Sequence, residues 1–267
     1  MRNTLFLGGG NMAYAIIGGM IAKGTAPESL YVIDINPQAR ENIERLGVAC
    51  SAHWPEHFQP AQVVLAVKPQ VMKDALTDFS HHLDNLLLIS IAAGIQVDQI
   101  RQWMNNVPCR IARTMPNTPA LVGQGMTAQY FSPECSSQDQ EEVQVIFSSC
   151  GRTQTLSAEE EINWITAISG SGPGYVFYLM EALETAAQQI GFDEKAARSL
   201  VNQTFLGAAT WASQSDDSLA TLREKVTSKG GTTFAGLEAL RANQVNTGIA
   251  KAVQAALGRA LEMQKGS

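Results

Sequence analysis

The chain has 267 residues, 45% of them hydrophobic and 16% charged, with a formal net charge of −6. That length holds one large or two modest domains with room for a core, and the composition excludes a disordered chain. No Lys/Arg-rich run is present, which argues against nucleic acid as a partner and against a polybasic membrane patch.

The apolar run Leu5–Leu7 is too short for a secretory signal and is followed at once by glycines. No stretch approaches the ~18 consecutive apolar residues of a membrane span. A cytoplasmic protein without a membrane partner is therefore expected. Cys50, Cys109, Cys135 and Cys150 lack CxxC spacing, and His53, His57, His81 and His82 form no HExxH pattern. Reduced thiols and no metal site are the expectation.

Thr4–Leu7 reads as a short strand stopped by three glycines. Asn11–Lys23 carries Met12, Ile16, Ile17 and Met20 close to helical spacing, with Gly24 at the C′ position. Leu30–Ile33 is the next strand, and Pro37 opens a helix through Leu46. Val63–Val67 and Leu86–Ile91 are apolar at consecutive positions, as in strands covered on both faces. Val97–Asn105 reads as a short helix and Cys109–Arg113 as a further strand. The alternation predicts a parallel sheet with right-handed crossovers.

The first turn carries chemistry. In "LGGGNMA", Gly8, Gly10 and Ala13 have G-x-G-x-x-A spacing between a predicted strand and a predicted helix. In that context the motif signals dinucleotide binding. Gly8 permits the tight turn, Gly10 lets a pyrophosphate approach the backbone, and Ala13 keeps the helix near the strand. The plain alternative is a glycine-rich turn made for packing. Asp34, after the second strand, is placed to accept from a ribose 2′-OH, which favours NAD; its plain alternative is a turn cap. Asn36 and Arg40 could instead meet a 2′-phosphate, which favours NADP.

Beyond Leu156 the strand runs stop. Ser171 reads as an N-cap, followed by a stripe of Val176, Leu179, Met180, Leu183 and Ile190 that ends at Gly191. Asp193 caps a second stripe of Ala197, Leu200, Val201, Phe205, Ala208 and Trp211. A short helix holds Leu219, Leu222 and Val226, and further helices run to Ala242 and from Asn246 to Gln264. These stripes read as packing surfaces, and so small a bundle is expected to complete its core against another subunit.

Between the last helices lies "VTSKGGTTFAGL", Val226–Leu237, rich in poor helix formers. "AVKPQ" (Ala66–Gln70), "RTMPNTP" (Arg113–Pro119) and "SGSGP" (Ser169–Pro173) are also odd for their elements. Together with "GGGNMA" these stretches, taken in chain order from Gly8 to Leu237, resemble the pyrroline-5-carboxylate reductase family over nearly the whole chain. The resemblance implies an α/β protein. Residues 1–156 would form an N-terminal Rossmann dinucleotide-binding domain, and residues 157–267 an all-α C-terminal substrate-binding and dimerisation domain interlocked with a partner's. It implies hydride transfer from NAD(P)H to the C=N bond of 1-pyrroline-5-carboxylate, giving L-proline. NADPH would be preferred, with NADH usable, and a homodimer would assemble further into a decamer.

The resemblance also implies residue roles. Gly8, Gly9, Gly10, Asn11, Met12 and Ala13 would hold the pyrophosphate. Ala66, Val67, Lys68, Pro69 and Ala93 would line the dinucleotide, and Met115, Pro116 and Asn117 would border the nicotinamide. Ser228, Gly230, Gly231, Thr232 and Thr233 would hold the substrate, with the Thr233 hydroxyl near the ring nitrogen. The family pattern is broken at Lys229, usually Pro, at Gly174, usually Ala, and at His53, where Asn is common. The chemistry accounts for the weak helix former: a carboxylate wants several N–H donors, and a helix start after two glycines offers them. Thr232 and Thr233 are also expected to cap that helix. The competing readings are a β-hydroxyacid or ketopantoate-type dehydrogenase, using Lys195 or Lys251, and a non-catalytic NADP-sensing regulator.

Overall fold

The computed structural model describes residues 2–105 and 107–265. The elements alternate from the start: β1 (Thr4–Leu7), α1 (Asn11–Ala22), β2 (Leu30–Ile33), α2 (Pro37–Glu44), β3 (Ala49–Ser51), β4 (Gln62–Leu65), α3 (Pro69–Phe79), β5 (Leu87–Ser90) and α4 (Val97–Trp103). There follow β6 (Arg110–Met115), β7 (Gly125–Phe131), α5 (Ser137–Ser148) and β8 (Gly151–Thr155). The strands form one eight-stranded sheet in the order β3-β2-β1-β4-β5-β6-β7-β8.

β1 pairs in parallel with both β2 and β4, Leu5 standing beside Tyr31 on one side and Val63 on the other. Strand order therefore reverses at β1, and the crevice beyond its C-terminal end is where such sheets bind ligands. Alternate residues feed the two faces. Phe6, Val32, Val64 and Ile89 pack with Ile16, Met20 and Phe147 of α1 and α5. Leu5, Leu7, Val63, Leu65 and Leu88 pack with Met72, Leu76 and Ile100 of α3 and α4. Both faces are covered, so these strands read as continuous apolar runs.

The expectation of a parallel sheet needs one correction. β7 runs antiparallel to β6, with Thr114 opposite Gln129. The link from Met115 to Gly125 is shorter than the dozen or so residues a parallel crossover requires. β8 then pairs in parallel with β7 and is largely exposed, an edge strand with a polar outer face.

A second correction concerns Ser171. α6 (Glu161–Ile165), a π-helical turn at Thr166–Gly170 and α7 (Gly172–Gln189) follow without interruption. Ser171 is itself right-handed helical, at φ −83° and ψ −21°, and donates its N–H to Thr166 O at 2.8 Å. It closes the π turn; it is not an N-cap, which has extended backbone. α8 (Glu194–Gln214), α9 (Leu219–Lys225), α10 (Thr232–Ala242) and α11 (Val245–Lys265) complete the chain. Asp193 does cap α8, accepting from Ala196 N at 2.8 Å.

Packing divides the chain into two compact units, Gly172–Ala255 and everything else. The change from strand to helix near residue 156 is not the place where packing changes, because α6 lies on β6 and β7. The first unit is also discontinuous. Gly94 has φ +79°, and a Cβ built on it would lie 3.2 Å from Met263 Cβ of α11. Asn163 Nδ2 donates to Gln264 Oε1 at 2.8 Å.

In the second unit α7 packs on α8, and Ala197 and Val201 are buried. The rest of the stripes stays open: Leu183, Leu200 and Trp211 are 45%, 48% and 45% exposed. Among the described residues no helix is long and apolar enough to cross a membrane.

Candidate active site

Gly8 opens the turn between β1 and α1. Its φ is +103°, and a Cβ there would lie 2.6 Å from the Ala66 carbonyl oxygen. Both the dihedral and the close passage of two chain segments demand glycine. Gly8 N donates to Ile33 O at 2.8 Å and Ala66 N to Leu7 O at 2.7 Å, which stitches the turn to both neighbouring strands. Gly10 is the N-cap of α1, without a side-chain cap. A Cβ on Gly10 would meet nothing within 4 Å. The first N–H groups of α1, on Asn11, Met12 and Ala13, have no intrahelical acceptor by the geometry of a helix start. Ala13 is packed into the core behind them. Free donors, a positive helix end and room beside Gly10 suit a pyrophosphate.

Asp34 lies at the end of β2. Its Oδ2 accepts from Gly9 N at 2.7 Å and its Oδ1 from Asn36 N at 2.8 Å. Asn36 caps α2 by accepting from Gln38 N at 3.0 Å. Arg40 Nη1 donates to Asp34 O at 2.7 Å. The three residues expected at a ribose 2′ position lie together, and each already has a local bond. Asp34 is thus a turn cap as well as a carboxylate beside the glycine turn.

Ala66 and Val67 follow β4; Lys68 is the N-cap of α3 and Pro69 its first residue. Ala93 follows β5 and Met115 ends β6. All lie at the C-terminal edge of the parallel strands, on the same side as Gly8. Met115 is half-buried, Pro116 and Asn117 buried. The Asn117 amide is committed to backbone: Nδ2 donates to Ser169 O at 3.0 Å and Oδ1 accepts from Met126 N at 2.8 Å.

In the second unit Gly230 has φ +72°, and Gly231 N donates to Ser228 O at 3.0 Å. A Cβ on Gly231 would run into Ser228 Oγ. Gly231 is the N-cap of α10, again without a side-chain cap. Thr232 and Thr233 are the first two helical residues and are exposed, as is Ser228. This corrects the expectation that the threonines cap the helix. A cap needs extended backbone ahead of the first turn, and Gly231 occupies that position at φ −78° and ψ 176°. The threonine hydroxyls and first-turn N–H groups are left for another acceptor or donor.

Two family models match the chain: one for pyrroline-5-carboxylate reductase dimerisation over residues 159–263, and one for NADP oxidoreductase, coenzyme F420-dependent, over residues 4–94. The pyrroline-5-carboxylate reductase of Haemophilus influenzae is 43% identical over 263 residues, 97% of this chain and 96% of its own. The chain belongs to the pyrroline-5-carboxylate reductase family. Solved structures agree. The pyrroline-5-carboxylate reductase of Coxiella burnetii is 35% identical with a TM-score of 0.92, covering 98% of both chains. The Plasmodium falciparum pyrroline carboxylate reductase, crystallised with NADP bound, is 28% identical with a TM-score of 0.86, also over 98% of both.

For a reductase of this family, two features went unread in the sequence. Arg113, in "RTMPNTP", is fully buried, and its Nη1 donates to Glu159 Oε1 at 2.9 Å. Burial pulls its pKa down and Glu159 pulls it back up; an arginine stays charged throughout. The signal was a lone charge within a strand, but its partner sits in the acidic run Glu159–Glu161, where nothing marks one residue out. The second feature is the π turn, which has no sequence signature. The thiols are poor nucleophiles: burial raises Cys109 and Cys150, and Cys50 to about 11. Lys195 and Lys251 are both exposed on their helices.

Proposed function

We propose that this protein reduces 1-pyrroline-5-carboxylate to L-proline with NADPH, the last step of proline synthesis. The observation that carries the reading is a pair of glycine-led helix starts without side-chain caps, at α1 and α10, in a chain similar over its whole length to reductases of that name. One start suits a pyrophosphate and the other a single carboxylate. NADP supplies the hydride when bound in its reduced form.

The residues of the chain bind and orient. The turn from Gly8 to Ala13 holds the pyrophosphate, and Asp34 and Asn36 reach the adenosine ribose. Ala66, Val67, Lys68, Pro69 and Ala93 line the dinucleotide, and Met115 and Pro116 border the nicotinamide. N–H groups at Thr232 and Thr233 take the substrate carboxylate, with Ser228, Gly230 and Gly231 shaping the loop. The hydride adds to the imine carbon and a proton to the nitrogen, and the Thr233 hydroxyl hydrogen-bonds that nitrogen. An iminium is already electrophilic, so orientation does most of the work and no strong acid is needed. NADPH is preferred over NADH, modestly, because Asp34 opposes a 2′-phosphate that Asn36 and Arg40 favour.

The open apolar faces of α7 and α8 support a homodimer; the reading extends to assembly of such dimers into a decamer in the cytoplasm. A hydroxyacid dehydrogenase would place a lysine in its reaction centre, and Lys195 and Lys251 sit in no such motif. The test is loss of NADPH absorbance with pyrroline-5-carboxylate, measured against a set of β-hydroxy acids run with NADP. Turnover of the imine alone is expected. Turnover of a hydroxy acid, or NADPH binding with no turnover at all, would refute the reading.

A further inference from the structure

Two motifs meet at the end of β6, and the function proposed above uses only one of them. Asn117 of "RTMPNTP" is 8% exposed, and both halves of its amide are bonded to backbone, at Ser169 O and Met126 N. Ser169 belongs to "SGSGP" and to the π turn Thr166–Gly170. Such turns are rare and concentrate at functional sites. The next residue, Gly170, lies against Met115: a Cβ built on it would be 3.0 Å from Met115 Cε. The start of the same segment is tied down as well. Glu159 Oε1 accepts from Arg113 Nη1 and from Val97 N, each at 2.9 Å. Residues 159–170 thus form a strap anchored at Arg113 of β6 and at Asn117 just beyond it, with Met115 between the two anchors.

We propose that Asn117 is a positioning residue for hydride transfer rather than a contact to the cofactor. It latches the π turn onto the end of β6 and so fixes Met115 and Pro116, the ledge that sets the height of the nicotinamide ring. The proposal rests on the function argued above. A misplacement of about 1 Å between reacting atoms costs on the order of 100-fold in rate, so a latch can matter without touching either reactant.

Asn117→Asp keeps an acceptor for Met126 N and replaces the donor facing Ser169 O with a carboxylate oxygen. Turnover should fall roughly 10- to 100-fold, while NADPH Kd and substrate KM stay within about threefold of wild type, less than 1 kcal/mol. In the cofactor-free protein, the amides of residues 166–171 and of Met126 should exchange faster with deuterium. Gly170→Ala is the second variant. It leaves the Asn117 bonds alone and displaces only the flexible tip of Met115, so it reads the same ledge should the first variant fail to fold. It should lower turnover with unchanged exchange. A raised NADPH Kd with normal turnover would make Asn117 a cofactor ligand and overturn the proposal. A lower Tm with full turnover per folded molecule would reduce the latch to a stabilising bond and overturn it too. A wild-type protein that binds NADPH but leaves the imine untouched refutes the functional reading alone, since exchange and Kd still report on the latch.

Discussion

Two helices of this chain, α1 and α10, begin on a glycine N-cap that no side chain assists. The glycines leading into them are needed for different reasons. Gly8 is walled in, its missing Cβ 2.6 Å from the Ala66 carbonyl, whereas a Cβ on Gly230 would meet nothing within 4 Å. Gly230 is required by its φ of +72° alone. The first cradle is shaped by its neighbours, the second by its own backbone. A dinucleotide lies extended across a sheet edge, so its cradle is built into the packing of that sheet. In the proposed function the second cradle takes a carboxylate, which needs only a few N–H donors of the kind a short loop can present.

The sharpest way to break this contrast is Gly8→Ala. Left-handed strain of ~1–2 kcal/mol adds to overpacking of ~1–3 kcal/mol, so roughly 2–5 kcal/mol of stability should be lost together with NADPH binding, as read by thermal unfolding and calorimetry. Gly10→Val should separate the two losses. Its side chain has room in the free protein, so Tm should hold within a few degrees while NADPH Kd rises by about 100-fold, ~2.7 kcal/mol. Tight NADPH binding by that variant would place the pyrophosphate elsewhere.

The first unit's dependence on its own neighbours has an electrostatic counterpart. Buried Asp139 accepts from Arg2 Nη1 at 2.9 Å and Arg110 Nη1 at 2.7 Å, and from Ser136 N and Oγ at 2.9 and 2.7 Å. Burial pushes its pKa up, but the bonds from Ser136 and the two arginines outweigh that and hold it at about 2, below the ordinary 3.8. The folded-state pKa is depressed, so the stabilisation is complete above the unfolded pKa and is lost as pH falls toward about 2. It amounts to roughly 2 kcal/mol. Asp139→Asn should cost that much at neutral pH and flatten the fall in Tm between about pH 4 and pH 2; an unchanged acid profile would assign the acid sensitivity to other groups.

At the second cradle, Thr233→Val removes a hydroxyl that caps nothing. Tm and NADPH affinity should stay put while turnover falls 5- to 150-fold, for a barrier raised by ~1–3 kcal/mol. Normal turnover would show that water supplies the proton unaided. Gly230→Ala should have the smallest effect. Strain of ~1–2 kcal/mol without a clash should raise substrate KM several-fold and leave the nucleotide cradle untouched. A loss as large as that of Gly8→Ala would show that the loop is walled in after all.

β1 and the glycine turn were legible because the signal is local: a run of apolar residues stops at a position whose positive φ and close neighbours admit only glycine. β8 was missed because "GRTQT" is a polar edge strand with little to separate it from a loop. The reversed β7 follows from the length of a link, not from its residues. Thr232 and Thr233 misled because threonine is a good cap, and the glycine before them holds the cap position instead. Asn117 was legible as a member of a motif, but its role was not, because its two partners are backbone groups 52 and 9 residues away.

By itself the sequence determined the α/β plan, the cradle for a dinucleotide and the order of the family motifs, since each rests on spacing within a few residues of chain. Only the tertiary structure decided where the first unit ends. A fragment stopping at residue 156 lacks Glu159, which holds Arg113, Ser169, which holds Asn117, and Met263, which lies against Gly94. Those contacts join segments far apart in the chain, and the pattern of a short stretch carries no record of what a buried polar group will meet once distant segments have packed.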